Sequence, residues 1–127
     1  LIIQKMGGGQ LEFKSNQTIA SQIAAYVKKE IFSGRYAPGQ KILPIREFAA
    51  FCCVNPNTVV KVYAELEAEG LIYTDSTLGK FVNADERGIA EKRKEYLRAR
   101  MGEFRTELKD CGVDEEEFMK LAKEVSK

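Results

Sequence analysis

Histidine is absent from this 127-residue chain, which removes the commonest general base and the commonest metal ligand together. Most zinc sites and hydrolytic triads use one, so no enzyme activity, metal or cofactor is expected. Cysteine is scarce and odd in number: Cys52, Cys53 and Cys111 show no C-x-x-C spacing, so a disulfide framework is not expected and a reducing cytoplasm is the simpler setting. No apolar run approaches the roughly 20 residues that span a bilayer, and the apolar start, residues 1–6, is too short for a signal peptide. A dominant charge is lacking as well. Twenty basic residues face 19 acidic ones, net +1, which excludes polyanion binding by bulk charge and leaves room for a locally basic face. The length fits one small domain with an appendage.

Residues 1–14, broken by Gly7, Gly8 and Gly9, are expected to form a loose N-terminal arm without assigned function. Beyond it, Ile19, Ile23, Val27 and Ile31 recur four apart and are widened by Ala20, Ala24 and Ala25. That period predicts an amphipathic helix over residues 18–32 with one buried face. Ser15 and Asn16 offer caps and Gly34 an exit. Residues 36–40, with Pro38-Gly39, are turn chemistry. A short second helix begins near Pro44, tolerated in a first turn, and runs to about Cys52. Asn55 suits an N-cap and Pro56 the first position of a third helix, which carries Val59, Val62, Tyr63 and Leu66 on one face and ends at Gly70. Residues 71–74 and 80–82 read as short strands around a tip at residues 75–79, with Tyr63 and Tyr73 expected in the core. The order helix, helix, short turn, helix, hairpin is that of a winged helix-turn-helix, expected over residues 15–83.

Residues 84–127 differ in kind, with no proline and 23 charged residues among 44. Leu97, Met101, Phe104, Leu108 and Cys111 alternate steps of four and three, a heptad-like seam on a long helix starting near Asp85 or Glu86. Gly112 ends it. Asp114 with Glu117 resembles a capping box, and the last helix places Phe118, Leu121, Ala122 and Val125 on one face. Two such helices bury little alone, so a second copy of the chain is the expected partner. Leu97, Met101, Phe104, Leu108, Phe118, Leu121 and Val125 are the dimerisation candidates. The expected architecture is thus mainly α with a small β-hairpin: a winged helix-turn-helix domain followed by a two-helix dimerisation tail.

The third helix carries the chemistry. A recognition helix enters the major groove with its N-terminal residues foremost, and Asn55, Asn57 and Thr58 occupy that end. Asn can pair with adenine and Thr can touch a thymine methyl, while free N–H groups of a helix start attract phosphate. Lys61 follows one turn on, and Arg35, Tyr36 and Lys41 near the Pro-Gly turn are weaker phosphate candidates. Across residues 17–83 there are seven basic and six acidic residues, so non-specific affinity should be modest and dependent on dimerisation.

The run VNPNTVVKVYAELEAEGLI at residues 54–72, with IFSGRYAPGQKI at residues 31–42, resembles the N-terminal domain of the GntR family of bacterial transcription regulators, over about residues 17–83. The short helical tail resembles that of the YtrA-type subfamily, whose C-terminal part mainly dimerises. The resemblance implies a repressor that binds a double-stranded, palindromic DNA operator as a homodimer, with the tail setting half-site spacing. It places Asn55, Pro56, Asn57, Thr58 and Lys61 at the major groove, and Arg46 of the second helix at DNA. Thr77, Gly79 and Lys80 of the hairpin fall beside the minor groove. A small-molecule effector near residues 84–88 is compatible with it, though no residue constellation points to a particular one. Departures from the family pattern are Leu43-Pro44-Ile45 directly before Arg46, so that the capping Ser usual after the Pro is missing or displaced, Cys53 where Gly is usual, Thr77 for the first wing glycine, and Asp75 with a charge of the wrong sign. They leave open a rival, a winged interaction module that has lost DNA binding. Cys52-Cys53 also invites a redox role, against which buried apolar cysteine is the commoner outcome.

Overall fold

The computed structural model describes residues 3–6, 9–12 and 17–126. Ile3–Met6 (β1) and Gly9–Glu12 (β2) pair antiparallel, so the segment expected as a loose arm contains a hairpin. Its register sets Met6 opposite Gly9. The caps expected from Ser15 and Asn16 lie outside the described residues.

Helix α1 spans Ile19–Phe32 and is capped by Thr18, whose hydroxyl accepts the Ser21 N–H at 3.1 Å. A cap must immediately precede the first helical residue, and Thr18 does. Gly34 leaves the helix at φ 83°. Helix α2 spans Ile45–Cys52, with Pro44 at the N-cap position and no side-chain cap. It ends at Cys53 in the left-handed conformation, φ 55° and ψ 47°, and the Val54 N–H returns to the Ala49 carbonyl at 3.0 Å. This is an αL termination made by cysteine where glycine is the cheaper residue. Helix α3 spans Pro56–Ala68, with Asn55 as N-cap and Pro56 in its first turn.

The wing follows. Strands β3, Ile72–Asp75, and β4, Gly79–Val82, pair antiparallel with Tyr73 opposite Phe81 and Asp75 opposite Gly79. The chain ahead of α2 lies along β4 as well: Ile42 N–H donates to the Lys80 carbonyl at 3.0 Å, and Val82 N–H to the Gln40 carbonyl at 2.9 Å. The core forms where these elements meet. Ile23, Val27 and Ile31 of α1, Phe48 and Cys52 of α2, Val59, Val62, Tyr63 and Leu66 of α3, and Leu71, Ile72 and Val82 of the wing are buried. The Phe48 and Tyr63 rings stack at 5.7 Å, and the Tyr63 hydroxyl donates to the Leu43 carbonyl at 2.7 Å. Tyr63 is core as expected. Tyr73 is not, because it lies on the outer face of the hairpin, 44% exposed, stacked on Phe81 at 5.5 Å.

The chain divides into two units, Leu1–Ala90 and Glu91–Lys127. Helix α4, Glu86–Asp110, starts in the first, where the Asp85 carboxylate accepts the Gly88 N–H at 3.1 Å and Ile89 joins the core. A Cβ on Gly88 would lie 2.6 Å from Asp85 Oδ2, so glycine suits this cap. In the second unit, Asp114 caps α5, Glu115–Val125, by accepting the Glu117 N–H at 2.9 Å. Gly112 turns the chain between the two helices at φ 80°. Arg105 ties them together, paired with Glu115 and lying 5.8 Å over the Phe118 ring.

Candidate nucleic-acid interface

The buried stripe of α3, Val59, Val62, Tyr63 and Leu66, fixes which residues face outward. Asn57, Val60, Lys61 and Ala64 are exposed. The first turn has a built geometry: Asn55 Oδ1 accepts the Asn57 N–H at 2.8 Å, and the Thr58 N–H bonds the Asn55 carbonyl at 2.9 Å. Pro56 has no N–H. The helix start therefore offers fewer free donors to a phosphate than an uncapped helix would, and any anion there depends on side chains and the dipole. Asn55 is occupied as a cap, Thr58 is half-buried, and Asn57 and Lys61 project into solvent. Arg46 lies exposed in the first turn of α2, a helix held to α3 by the Phe48–Tyr63 stack, while the Tyr63–Leu43 bond holds the chain just ahead of it.

The wing tip is pinned from within. Asp75 Oδ1 accepts the N–H groups of both Leu78 and Thr77 at 2.8 Å, and these bonds hold its carboxyl below the usual carboxylate range. The charge of the wrong sign is thus spent on turn geometry. Thr77 and Leu78 are exposed at the tip. Lys80, expected beside the minor groove, turns back: its ammonium donates to Thr74 Oγ1 at 2.8 Å and lies 5.8 Å from the Tyr63 ring centroid. Lys41 takes the outer place. Its side chain runs past Gly79, where a Cβ would meet Lys41 Cε at 3.2 Å, and it is exposed. The sequence ranks Lys41 low because only the pairing of residues 40–42 with β4 brings it to the wing. Arg35 is engaged by Glu30 at 3.0 Å, and Tyr36 is half-buried, its hydroxyl pushed up to about 12 by burial.

At the junction, Asn83 donates to the Gly70 carbonyl at 2.8 Å and accepts the Asp85 N–H at 2.9 Å. Asn83 and Asp85, beside the expected effector position, are thus committed to turn and capping bonds. Cys52 is buried, with its thiol pushed up to about 11 by that burial, whereas Cys53 is exposed.

In the second unit Leu97, Met101, Phe104, Leu121 and Val125 are exposed, while Leu108 and Phe118 are half-buried. Met101, Phe104, Leu108, Phe118, Leu121 and Val125 line one groove of about 540 Å³.

Residues 19–82 match the family described as bacterial regulatory proteins, gntR family. The HTH-type transcriptional repressor YtrA of Bacillus subtilis (strain 168) is 30% identical over 118 residues, covering 92% of this chain and 91% of that one. A solved GntR family transcriptional regulator from Listeria monocytogenes matches with a TM-score of 0.83 at 33% identity, over 88% of this chain and 98% of that one. The DNA-binding domain of AraR, solved in complex with operator ORX1, matches with a TM-score of 0.50 at 25% identity, over 56% of this chain and 92% of that one. The chain belongs to the GntR family: it is a transcriptional regulator with a winged helix-turn-helix DNA-binding domain.

Proposed function

We propose that this regulator is a cytoplasmic repressor that binds a palindromic operator as a homodimer and has no enzymatic role. α3 enters the major groove, led by Asn57 with Lys61 behind it, Arg46 contacts DNA from α2, and Thr77 and Gly79 run beside the minor groove. The observation that carries this reading is the outward face of α3, where Asn57 and Lys61 stand clear of the core while Asn55 and Pro56 hold the helix start in place. The sign of regulation follows the printed name of the Bacillus subtilis relative. Dimerisation is supported by the apolar groove between α4 and α5, since apolar patches of that kind mark association surfaces. Among the described residues no helix is long and apolar enough to cross a membrane.

The experiment is selection of bound duplexes from a random DNA pool at two salt concentrations. Enrichment of an inverted repeat supports the reading. Binding without a consensus that vanishes at moderate salt would favour the rival, a winged interaction module with residual non-specific affinity.

A further inference from the structure

Val60 is 47% exposed, although Val59 beside it is fully buried. The core face of α3 is set by Val59, Val62, Tyr63 and Leu66, and at 100° per residue Val60 lies about 110° from the middle of that stripe and so falls outside it. Asn57, Val60 and Ala64 then follow one another along the exposed face, one turn apart, with Lys61 alongside. A single exposed apolar side chain is ordinary on a protein surface; the position of this one is not. It stands on the face that the proposed docking turns toward bases, one turn from Asn57 and next to Lys61. Valine also lowers helix propensity relative to alanine at an exposed position, so the helix itself gains nothing from it.

The major groove displays one apolar group, the C5 methyl of thymine, and sequence is read there partly by apolar contact with it. A valine side chain neither donates nor accepts a hydrogen bond. Pressed against the edge of a G·C pair, it would leave polar atoms desolvated and unpaired; pressed against thymine, it would bury methyl against methyl. With a net charge of only +1 over residues 17–83, backbone attraction is modest and such contacts gain relative weight.

We propose that Val60 is a specificity-determining residue that packs on a thymine methyl in each operator half-site and disfavours a G·C pair at that step. The inference rests on α3 being the reading helix.

The test uses the full chain and the duplex recovered by selection. Each thymine of one half-site is replaced in turn by deoxyuridine, which lacks only the methyl, and binding is followed by fluorescence anisotropy for the wild type and Val60→Ala. The wild type should lose about threefold to fivefold at one or two positions, the value for one methylene-sized group leaving contact. Val60→Ala should bind the thymine duplex more weakly by a similar factor and show no further loss at those same positions. Circular dichroism should show the variant folded, because alanine favours the helix. An inverted repeat whose binding is indifferent to every deoxyuridine overturns the Val60 assignment and leaves the regulator reading intact. So does an equal loss at every position in both proteins. If no sequence is enriched, both fall together.

Discussion

The side-chain oxygen of Asn55 accepts the backbone N–H of Asn57 across 2.8 Å, and this bond separates the roles of two asparagines on either side of Pro56. Asn55 gives one lone pair of its Oδ1 to the helix and keeps its side-chain NH2 group uncommitted to the cap. Asn57 gives its backbone to the cap and keeps its whole side chain in solvent, one turn before Val60 and Lys61. A capped, proline-started helix presents a rigid first turn, so the proposed contact of its leading side chain carries little ordering cost.

The two asparagines should therefore separate by measurement. Asn55→Ala is expected to cost about 1 kcal/mol of stability through the lost cap, lowering the thermal midpoint. Asn57→Ala should leave the midpoint nearly unchanged, with an effect within about 0.5 kcal/mol, and weaken operator binding by about 1–3 kcal/mol. Thermal denaturation beside anisotropy reads both. A large stability loss in Asn57→Ala would make it a structural residue.

Asp75 supplies a pH dependence. The N–H groups of Leu78 and Thr77 favour its ionised form and hold its folded pKa below the unfolded value. Its contribution is fully present above the unfolded pKa of about 4 and is lost as pH falls through the lower folded value. Asp75→Asn should remove that component. Urea midpoints measured from neutral to acid pH are expected to differ most between wild type and variant near neutrality and to converge in acid. Parallel curves throughout would refute the assignment.

The three thiols should react unequally. Cys53 and Cys111 are exposed and Cys52 is buried with a raised pKa, so a disulfide-exchange reagent at mild alkaline pH should titrate two thiols quickly in the folded protein. The third should appear only on unfolding. Rapid modification of all three would mean that the core around Cys52 opens far more readily than its packing implies.

Cys53 holds φ at 55°, where a Cβ is strained and glycine is not. Cys53→Gly should raise stability by about 0.5–1 kcal/mol, the steric relief outweighing the extra chain entropy of glycine. Chemical denaturation is the measurement, and a destabilised variant would show that the thiol's packing matters more than its backbone.

The tail makes a prediction about assembly. Phe104→Glu with Leu121→Glu sets charges on the apolar groove between α4 and α5, and should convert the protein to monomer by sedimentation equilibrium while the near-ultraviolet signal of the winged unit's tyrosines persists. Operator affinity should fall with it, since two half-sites would no longer be engaged together. A variant that sediments as a dimer would place the interface elsewhere.

Much of this architecture was legible in the residues because the signals are local. The four-residue recurrence of Ile19, Ile23, Val27 and Ile31 determines a helix and its buried side, Asn55-Pro56 determines where α3 begins, and Asp114 determines where α5 begins. In each case the deciding contacts lie within one helical turn. The places decided by tertiary structure are those whose partners are distant in sequence. Lys80 turns inward because Thr74 across the hairpin and Tyr63 of α3 receive it. Lys41 reaches the wing because residues 40–42 pair with β4, nearly 40 residues on. Val60 is left outside because Val59, Val62, Tyr63 and Leu66 together set the face that packs on the core. Periodicity and capping, which act over a few residues, were enough to set the elements from α1 onward and their order, whereas the β1–β2 hairpin showed in neither signal; which side chains of α3 and the wing stay exposed depends on hydrogen bonds and packing between segments that the chain keeps far apart.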